Sequence, residues 1–314
     1  MQFRNVGRSG LQVSVAGLGC NNFGMKIDKD ATAAVVQKAL ELGVNFFDTA
    51  NIYGGTRSEE FLGAALGERR KDVIVATKFA GPLAGEGPYN KGASRKHVMQ
   101  AVEDSLRRLG TDYIDLYQVH FPDEQTPIEE TLRALDDLVR AGKVRYIGCS
   151  NFAAWQVVES QWTARSEHLT PFVSAQNEYS LLNRAAEREL VPACRAYGLG
   201  LLPYFPLASG FLTGKYRRGE KPPEGSRIAL WGPRGERLLT DRNFDILEGL
   251  ETFAKERGKS VLELAFAWLA SNPAVASVIA GATTPEQVAQ NVAAASDWRL
   301  TEEEIAEVDE ISRG

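Results

Sequence analysis

The sequence predicts an α/β fold, a (β/α)8 TIM barrel with an N-terminal β-hairpin and a C-terminal extra helix, and three observations carry that expectation. Short apolar β-rich runs alternate with longer stretches of helical periodicity, as βαβ units around a parallel sheet require. Eight such runs fit into 314 residues, a length ordinary for one closed barrel, so residues 1–314 read as a single domain. The turn after the first run, GLGCNN, lacks the third glycine that a doubly wound sheet would place in its nucleotide turn.

In chain order, Phe3–Asn5 and Leu11–Val13, joined through Gly7-Arg8-Ser9-Gly10, predict a hairpin that plugs the barrel floor. The barrel runs are VSVAGLG (13–19), VNFFDTA (44–50), DVIVATK (72–78), YIDLYQVH (113–120), VRYIGCSN (144–151), FVSAQN (172–177), LGLLPY (199–204) and VASVIAGA (275–282). Two helix starts, Thr126-Pro127-Ile128-Glu129 and Thr284-Pro285-Glu286-Gln287, each place a hydroxyl N-cap, Pro at N1 and Glu or Gln at N3. The least regular stretch, about 205–243, is rich in Gly, Pro and Arg, and a loop of that length usually binds something. Thr301 and Glu304 form a capping box, and Ile305, Val308 and Ile311 share one face of a terminal helix.

Composition narrows the function classes. With 44% hydrophobic and 25% charged residues the chain can bury a sizeable core. A net charge of −5, with cations scattered among acids, offers no field for nucleic acid. The N-terminus has no apolar leader and no 18-residue apolar span occurs, so a cytoplasmic protein without membrane contact is expected. Cys20, Cys149 and Cys194 fit neither a disulfide framework nor a zinc spacing. His97, His120 and His168 have no metal-binding spacing, so no metal is expected. GCSNF lacks the second glycine of a nucleophile elbow, and G-F-L-T-G-K is one residue short of a phosphate-binding P-loop.

In such a barrel the chemistry sits at the C-terminal ends of the strands. Those ends carry Asp48, Lys78, His120, Ser150-Asn151, Gln176-Asn177 and Tyr204. Each alone has a structural explanation, but six strand ends that all carry polar or aromatic residues on one rim point to a site. Asp48 and Lys78 are opposite charges on adjacent strands, tolerable in burial only if they meet each other or a third polar group. Tyr53 can be that group: a phenol of ordinary pKa about 10 beside the Lys78 ammonium is expected to have its pKa lowered and to become a competent acid. Asp48 then orients Lys78, and His120 holds the substrate oxygen or completes the relay.

At this point the segments GVNFFDTANIYG (43–54), VIVATK (73–78), IDLYQVH (114–120) and GKVRYIGCSNF (142–152) resemble the signature segments of the aldo-keto reductase superfamily, in family order. The similarity extends through QNEYSLLNR (176–184), YFPLASGFLTGKY (204–216) and GATTPEQVAQN (281–291), in the style of the potassium-channel β-subunit-like and bacterial general aldo-keto reductase branch. The resemblance implies Asp48, Tyr53, Lys78 and His120 as a catalytic tetrad and NADP(H), with NAD(H) as the alternative, as cofactor. It implies cofactor contacts from Cys20, Asn21 and Asp48, and from Ser150, Asn151 and Gln176 to the nicotinamide carboxamide, although Asn151 also reads as a helix cap. It implies that Tyr204, otherwise a core aromatic, stacks on the nicotinamide. Phe205, Pro206, Leu207, Ala208, Ser209 and Gly210 would form a belt over the pyrophosphate with Lys215 at its cationic end. Arg227 would face the 2′-phosphate or stand as a solvated arginine, and Gly281, Thr283, Gln287, Gln290 and Asn291 would complete the adenosine end.

Two departures stand out. Many relatives carry an arginine where this chain has Thr283 or Thr284, and Phe205 replaces a common serine. Phe23, Phe79, Tyr89, Phe121 and Trp231 are expected to line a substrate pocket suited to a neutral aldehyde, ketone or sugar. The reaction expected is carbonyl–alcohol interconversion by a monomer or weak homo-oligomer, the competing reading being a cofactor-bound regulatory or interaction module with incidental redox activity.

Overall fold

A computed structural model describes residues 1–85, 87, 89–296 and 298–313, with backbone only at 234. The first two strands, β1 (Phe3–Asn5) and β2 (Gln12–Ser14), pair antiparallel as the expected hairpin. Eight parallel strands follow: β3 (Ala16–Gly19), β4 (Phe46–Asp48), β5 (Ile74–Phe79), β6 (Ile114–Val119), β7 (Val144–Ser150), β8 (Ser174–Gln176), β9 (Gly200–Leu201) and β10 (Val278–Gly281). They pair in sequence order, and β10 returns to lie beside β3. The seam between β9 and β10 is closed by a parallel bridge from Leu201 to Val275 and by the bond from Ala276 N to Leu201 O at 2.9 Å. The arrangement is a (β/α)8 barrel, as the sequence predicted.

Strand alternation divides the core in two. Phe46, Ala76, Leu116, Leu202 and Ile279 point into the barrel, where Val6, Leu11 and Val13 of the hairpin meet them and seal the floor. Phe47, Val75, Tyr117 and Ile147 point outward, into the layer beneath the helices. The hairpin reaches both sides of the seam. Arg4 donates to Val275 O at 2.9 Å and Ala270 O at 2.7 Å, while Arg8 N donates to Gly198 O at 2.9 Å. Gly7, at φ +59°, allows that approach: a Cβ there would stand 2.2 Å from Gly198 O.

The helices cover the outside: α1 (Lys29–Glu41), α2 (Arg57–Leu66), α3 (Arg95–Leu109), α4 (Ile128–Arg140), α5 (Ala154–Ser166) and α6 (Leu190–Tyr197) follow their strands in turn. Between β9 and β10 lie α7 (Arg227–Trp231), α8 (Pro233–Glu236), α9 (Asp241–Glu256) and α10 (Val261–Ser271), so the irregular stretch predicted at 205–243 carries short helices of its own. The chain ends with α11 (Pro285–Ser296) and α12 (Glu302–Arg313). The Thr301–Glu304 box forms as expected, with Glu304 N on Thr301 Oγ1 and Thr301 N on Glu304 Oε2, and Val308 is buried against the barrel's helices.

Two local expectations are corrected. The run 13–19 supplies two elements rather than one, because the chain turns a corner at Val15, where Ser14 Oγ donates to Ala16 O and Ser277 Oγ to Ser14 O. The start of α4 is also shifted: Pro127 occupies the cap position without a side-chain bond, and the Thr126 hydroxyl donates to Asp123 Oδ2 instead. The second such start behaves as predicted, with Thr284 Oγ1 accepting from Gln287 N.

Candidate active site

Period-2 alternation places Lys78 on β5 and Gln118 and His120 on and just after β6 facing the barrel mouth, beside Asp48 at the end of β4. Lys78 is 0% exposed, and its ammonium donates to Asp48 Oδ2 at 2.7 Å and to Thr49 O at 2.8 Å. Asp48 Oδ1 in turn accepts from Gln176 Nε2 at 2.9 Å and Gln118 Nε2 at 3.4 Å. A buried ion pair is tolerated when its remaining valences are met, and here strands β4, β5, β6 and β8 all contribute to meeting them. Burial opposes the charge on Lys78, but Asp48 and then Tyr53 outweigh it, and the net direction of its pKa is upward.

Tyr53 opens the turn that follows β4, and Gly54 (φ 60°) and Gly55 (φ 64°) let the chain fold back there. Its ring lies 5.1 Å from Lys78 Nζ and meets His120 edge-on at 5.7 Å between centroids. The expected lowering of the Tyr53 pKa is corrected. Burial, which disfavours the phenolate, outweighs the pull of the Lys78 charge, so the phenol stands above its ordinary value.

His120 stacks on Phe121 at 4.3 Å, and its Nδ1 is buried without a partner among the described residues. Burial first, and the Lys78 charge second, lower its pKa to about 2. The imidazole is therefore neutral in the folded protein at any ordinary pH. The unfolded chain takes up that proton near pH 6.5, so His120 subtracts stability progressively as pH falls from about 6.5 towards the folded pKa. Imidazole NMR of a selectively labelled protein is expected to show His120 unprotonated from pH 8 down to pH 5. A titration midpoint near 6.5 would contradict the buried geometry.

Beside this group, Asn151 (φ 61°) donates from Nδ2 to His120 O at 2.9 Å and Ser150 Oγ at 3.1 Å, and its Oδ1 accepts from Tyr204 Oη at 2.7 Å. Ser150 Oγ donates to Gln176 O at 2.9 Å. Polar groups of six strand ends thus form one connected rim running from Lys78 to Tyr204.

The family model described as the aldo/keto reductase family matches residues 16–313. The chain belongs to that family. Among curated proteins it is 43% identical to a probable voltage-gated potassium channel subunit beta of Oryza sativa subsp. japonica, over 94% of this chain and 91% of that protein. It is 39% identical to the uncharacterized oxidoreductase YrpG of Bacillus subtilis, over 94% and 91%. It is 36% identical to an L-glyceraldehyde 3-phosphate reductase of Escherichia coli K12, over 99% and 92%.

Along the rim of this aldo/keto reductase, β9 leads into a belt in which Phe205 (φ 53°), Ala208 (φ 45°), Ser209 (φ 60°) and Gly210 (φ 90°) adopt left-handed conformations. Three of these are not glycine, and such strain persists where the surrounding structure holds it, often at ligand clamps. Pro206 and Leu207 lie within the belt, and the Lys215 ammonium sits 3.4 Å from where a Gly210 Cβ would stand. Arg227 lies over the rings of Phe205 (5.4 Å) and Trp231 (5.7 Å). Gly281 ends β10, whereas Gln287 is turned back on Thr283, its Oε1 accepting from the Thr283 N–H at 2.8 Å. Gln290 and Asn291 lie further along α11.

Three expected contacts are corrected by burial. Phe79 points outward on β5 and stacks on Tyr117 at 4.7 Å, and Phe23 is buried in the same outer layer, so neither presents surface to a substrate. Cys20 is fully buried, its carbonyl accepting from Ser58 Oγ and Phe23 N, and it forms wall behind Asp48. Phe121, 41% exposed, stays at the mouth, and Tyr89 is exposed on the β5–α3 loop with Lys96 over its ring. Trp231 lies with Phe205 and Arg227, on the belt side of the mouth. Asn21 lies on the β3–α1 loop, its Oδ1 3.0 Å from a Cβ built on Gly281. Among the described residues no group of His, Cys, Asp and Glu could hold a metal ion, and no helix is long and apolar enough to cross a membrane.

Sequence reasoning missed Gln118 and Asn22. The former lies two residues before His120 on one strand face, a signal the alternation contained. The latter acts through bonds between distant loops.

Proposed function

We propose that this aldo/keto reductase interconverts a carbonyl compound and its alcohol with NADP(H), Tyr53 acting as the general acid. The observation carrying the reading is the Asp48–Lys78 ion pair, closed to water, directly beneath a phenol and beside a neutral imidazole. At neutral pH the raised Tyr53 pKa keeps the proton on the phenol, available to a carbonyl oxygen. The Lys78 ammonium stabilises the phenolate that remains, and Asp48 keeps that ammonium charged and aimed. His120, neutral, offers a ring nitrogen to the substrate oxygen without adding a competing charge.

The residues present fit a dinucleotide. An amide and hydroxyl rim (Ser150, Asn151, Gln176) suits a carboxamide, the Tyr204 ring suits a flat heterocycle, and the strained belt with Lys215 and Arg227 suits phosphates. When bound, NADPH supplies the hydride. Phe121 and Tyr89 at the mouth favour a neutral aldehyde, ketone or sugar, and the name of the glyceraldehyde 3-phosphate reductase relative agrees with an aldehyde.

Purified protein with NADPH and a panel of aldehydes is expected to consume the cofactor over many turnovers, followed by absorbance. Tight NADPH binding with no more than one turnover across the panel would remove this reading and favour a regulatory module.

A further inference from the structure

The side chain of Asn22 is almost wholly buried and ties together three loops on the rim. Its Oδ1 accepts from Arg227 Nη2 at 3.3 Å, and its Nδ2 donates to Ala282 O at 3.3 Å, just past β10. Its carbonyl accepts from the N–H groups of Met25 (3.2 Å), Lys26 (2.8 Å) and Ile27 (3.2 Å). The exposed Lys26 and the half-buried Arg227 are therefore hung on the same residue, one by backbone and one by side chain.

Asn22 thus brings Lys26 beside Arg227, and burial first, then the Arg227 and Lys215 charges, lower the Lys26 pKa. Among the described residues no carboxylate forms a salt bridge with any of the three, although cations elsewhere on this chain are widely paired, Arg218 with three acids at once. The loop beyond β10 adds no cation there: Thr283 is neutral, and its N–H and hydroxyl are both engaged by Gln287. Like charges held together without counter-charge repel, and a ligand bearing a localised double negative charge relieves that repulsion.

We propose that Lys26 is a specificity-determining residue, pairing with Arg227 to hold the 2′-phosphate of NADP(H), with Asn22 as the positioning residue that sets both. This rests on the dinucleotide reading above. A phosphomonoester carries about −1.5 to −2 at neutral pH, more than the single charge of one guanidinium neutralises. Arg227 presents a planar fork for two oxygens, and Lys26 adds a point charge to the third. NADH lacks that phosphate and offers these two residues nothing to read.

The test is dissociation constants for NADPH and NADH, measured by fluorescence titration on wild type, Lys26→Met and Lys26→Arg. Lys26→Met is expected to weaken NADPH roughly tenfold, the scale of one charge-assisted contact, while NADH changes by less than about twofold. Lys26→Arg should keep most of the NADPH affinity, and the salt dependence of NADPH binding should become shallower in Lys26→Met. Unchanged NADPH affinity, or equal weakening of both dinucleotides, would overturn the assignment while leaving the oxidoreductase reading intact. Wild-type protein that binds neither dinucleotide would overturn both.

Discussion

Replacing Tyr53 with phenylalanine is expected to lower kcat/KM for carbonyl reduction by about 10²–10⁴-fold, the usual worth of a positioned acid, with the NADPH dissociation constant nearly unchanged. The separation follows from geometry. The hydroxyl stands over Lys78, and the rim that suits the carboxamide is built from Ser150, Asn151 and Gln176, whose bonds run to one another, to Asp48, His120 and Tyr204 and never through Tyr53. The phenyl ring retains its edge contact with His120 and the ammonium beneath it. Steady-state kinetics with binding titrations decide the matter, and a variant with wild-type kcat would show that another group delivers the proton.

Lys78→Met is expected to cost both activity and stability. Removing one partner of a buried pair strands the other charge, a loss of about 3–5 kcal/mol where nothing compensates. Asp48 keeps Gln176 and Gln118 as donors, which places the expected loss near the lower end of that range. Activity falls as well, because the phenolate loses the cation that stabilises it. Denaturant unfolding separates the two effects. Adding Asp48→Asn should recover much of the stability and none of the turnover; recovery of turnover in the double variant would show that the ion pair serves the fold alone.

Much of the site was legible because barrel chemistry is confined to strand ends, and Asp48, Lys78 and His120 each lie at or near the end of a run whose alternation can be counted. The same alternation, followed one residue further, sends Phe79 to the opposite face from Lys78, so its burial against Tyr117 was also within reach. The direction of the Tyr53 pKa was not. A sequence shows which charge is near a phenol but not how much water is excluded, and exclusion proved the larger influence. Nor could Lys26 be read, since its place depends on Asn22 meeting an arginine 205 positions away across two loops. The corner at Val15 was hidden inside a single β-rich run, where neither glycine nor proline stands at the change of direction.

The N-terminal hairpin has a consequence for how the chain matures. Arg4 finds its acceptors only in residues 266 and 271 positions later, and the apolar cover over Val6, Leu11 and Val13 is complete only when Leu202 and Ile279 join Phe46, Ala76 and Leu116. The hairpin is thus made before the barrel that shelters it. Non-local contacts of this kind slow folding and leave early segments open to association or to chaperones for most of the time the polypeptide takes to emerge.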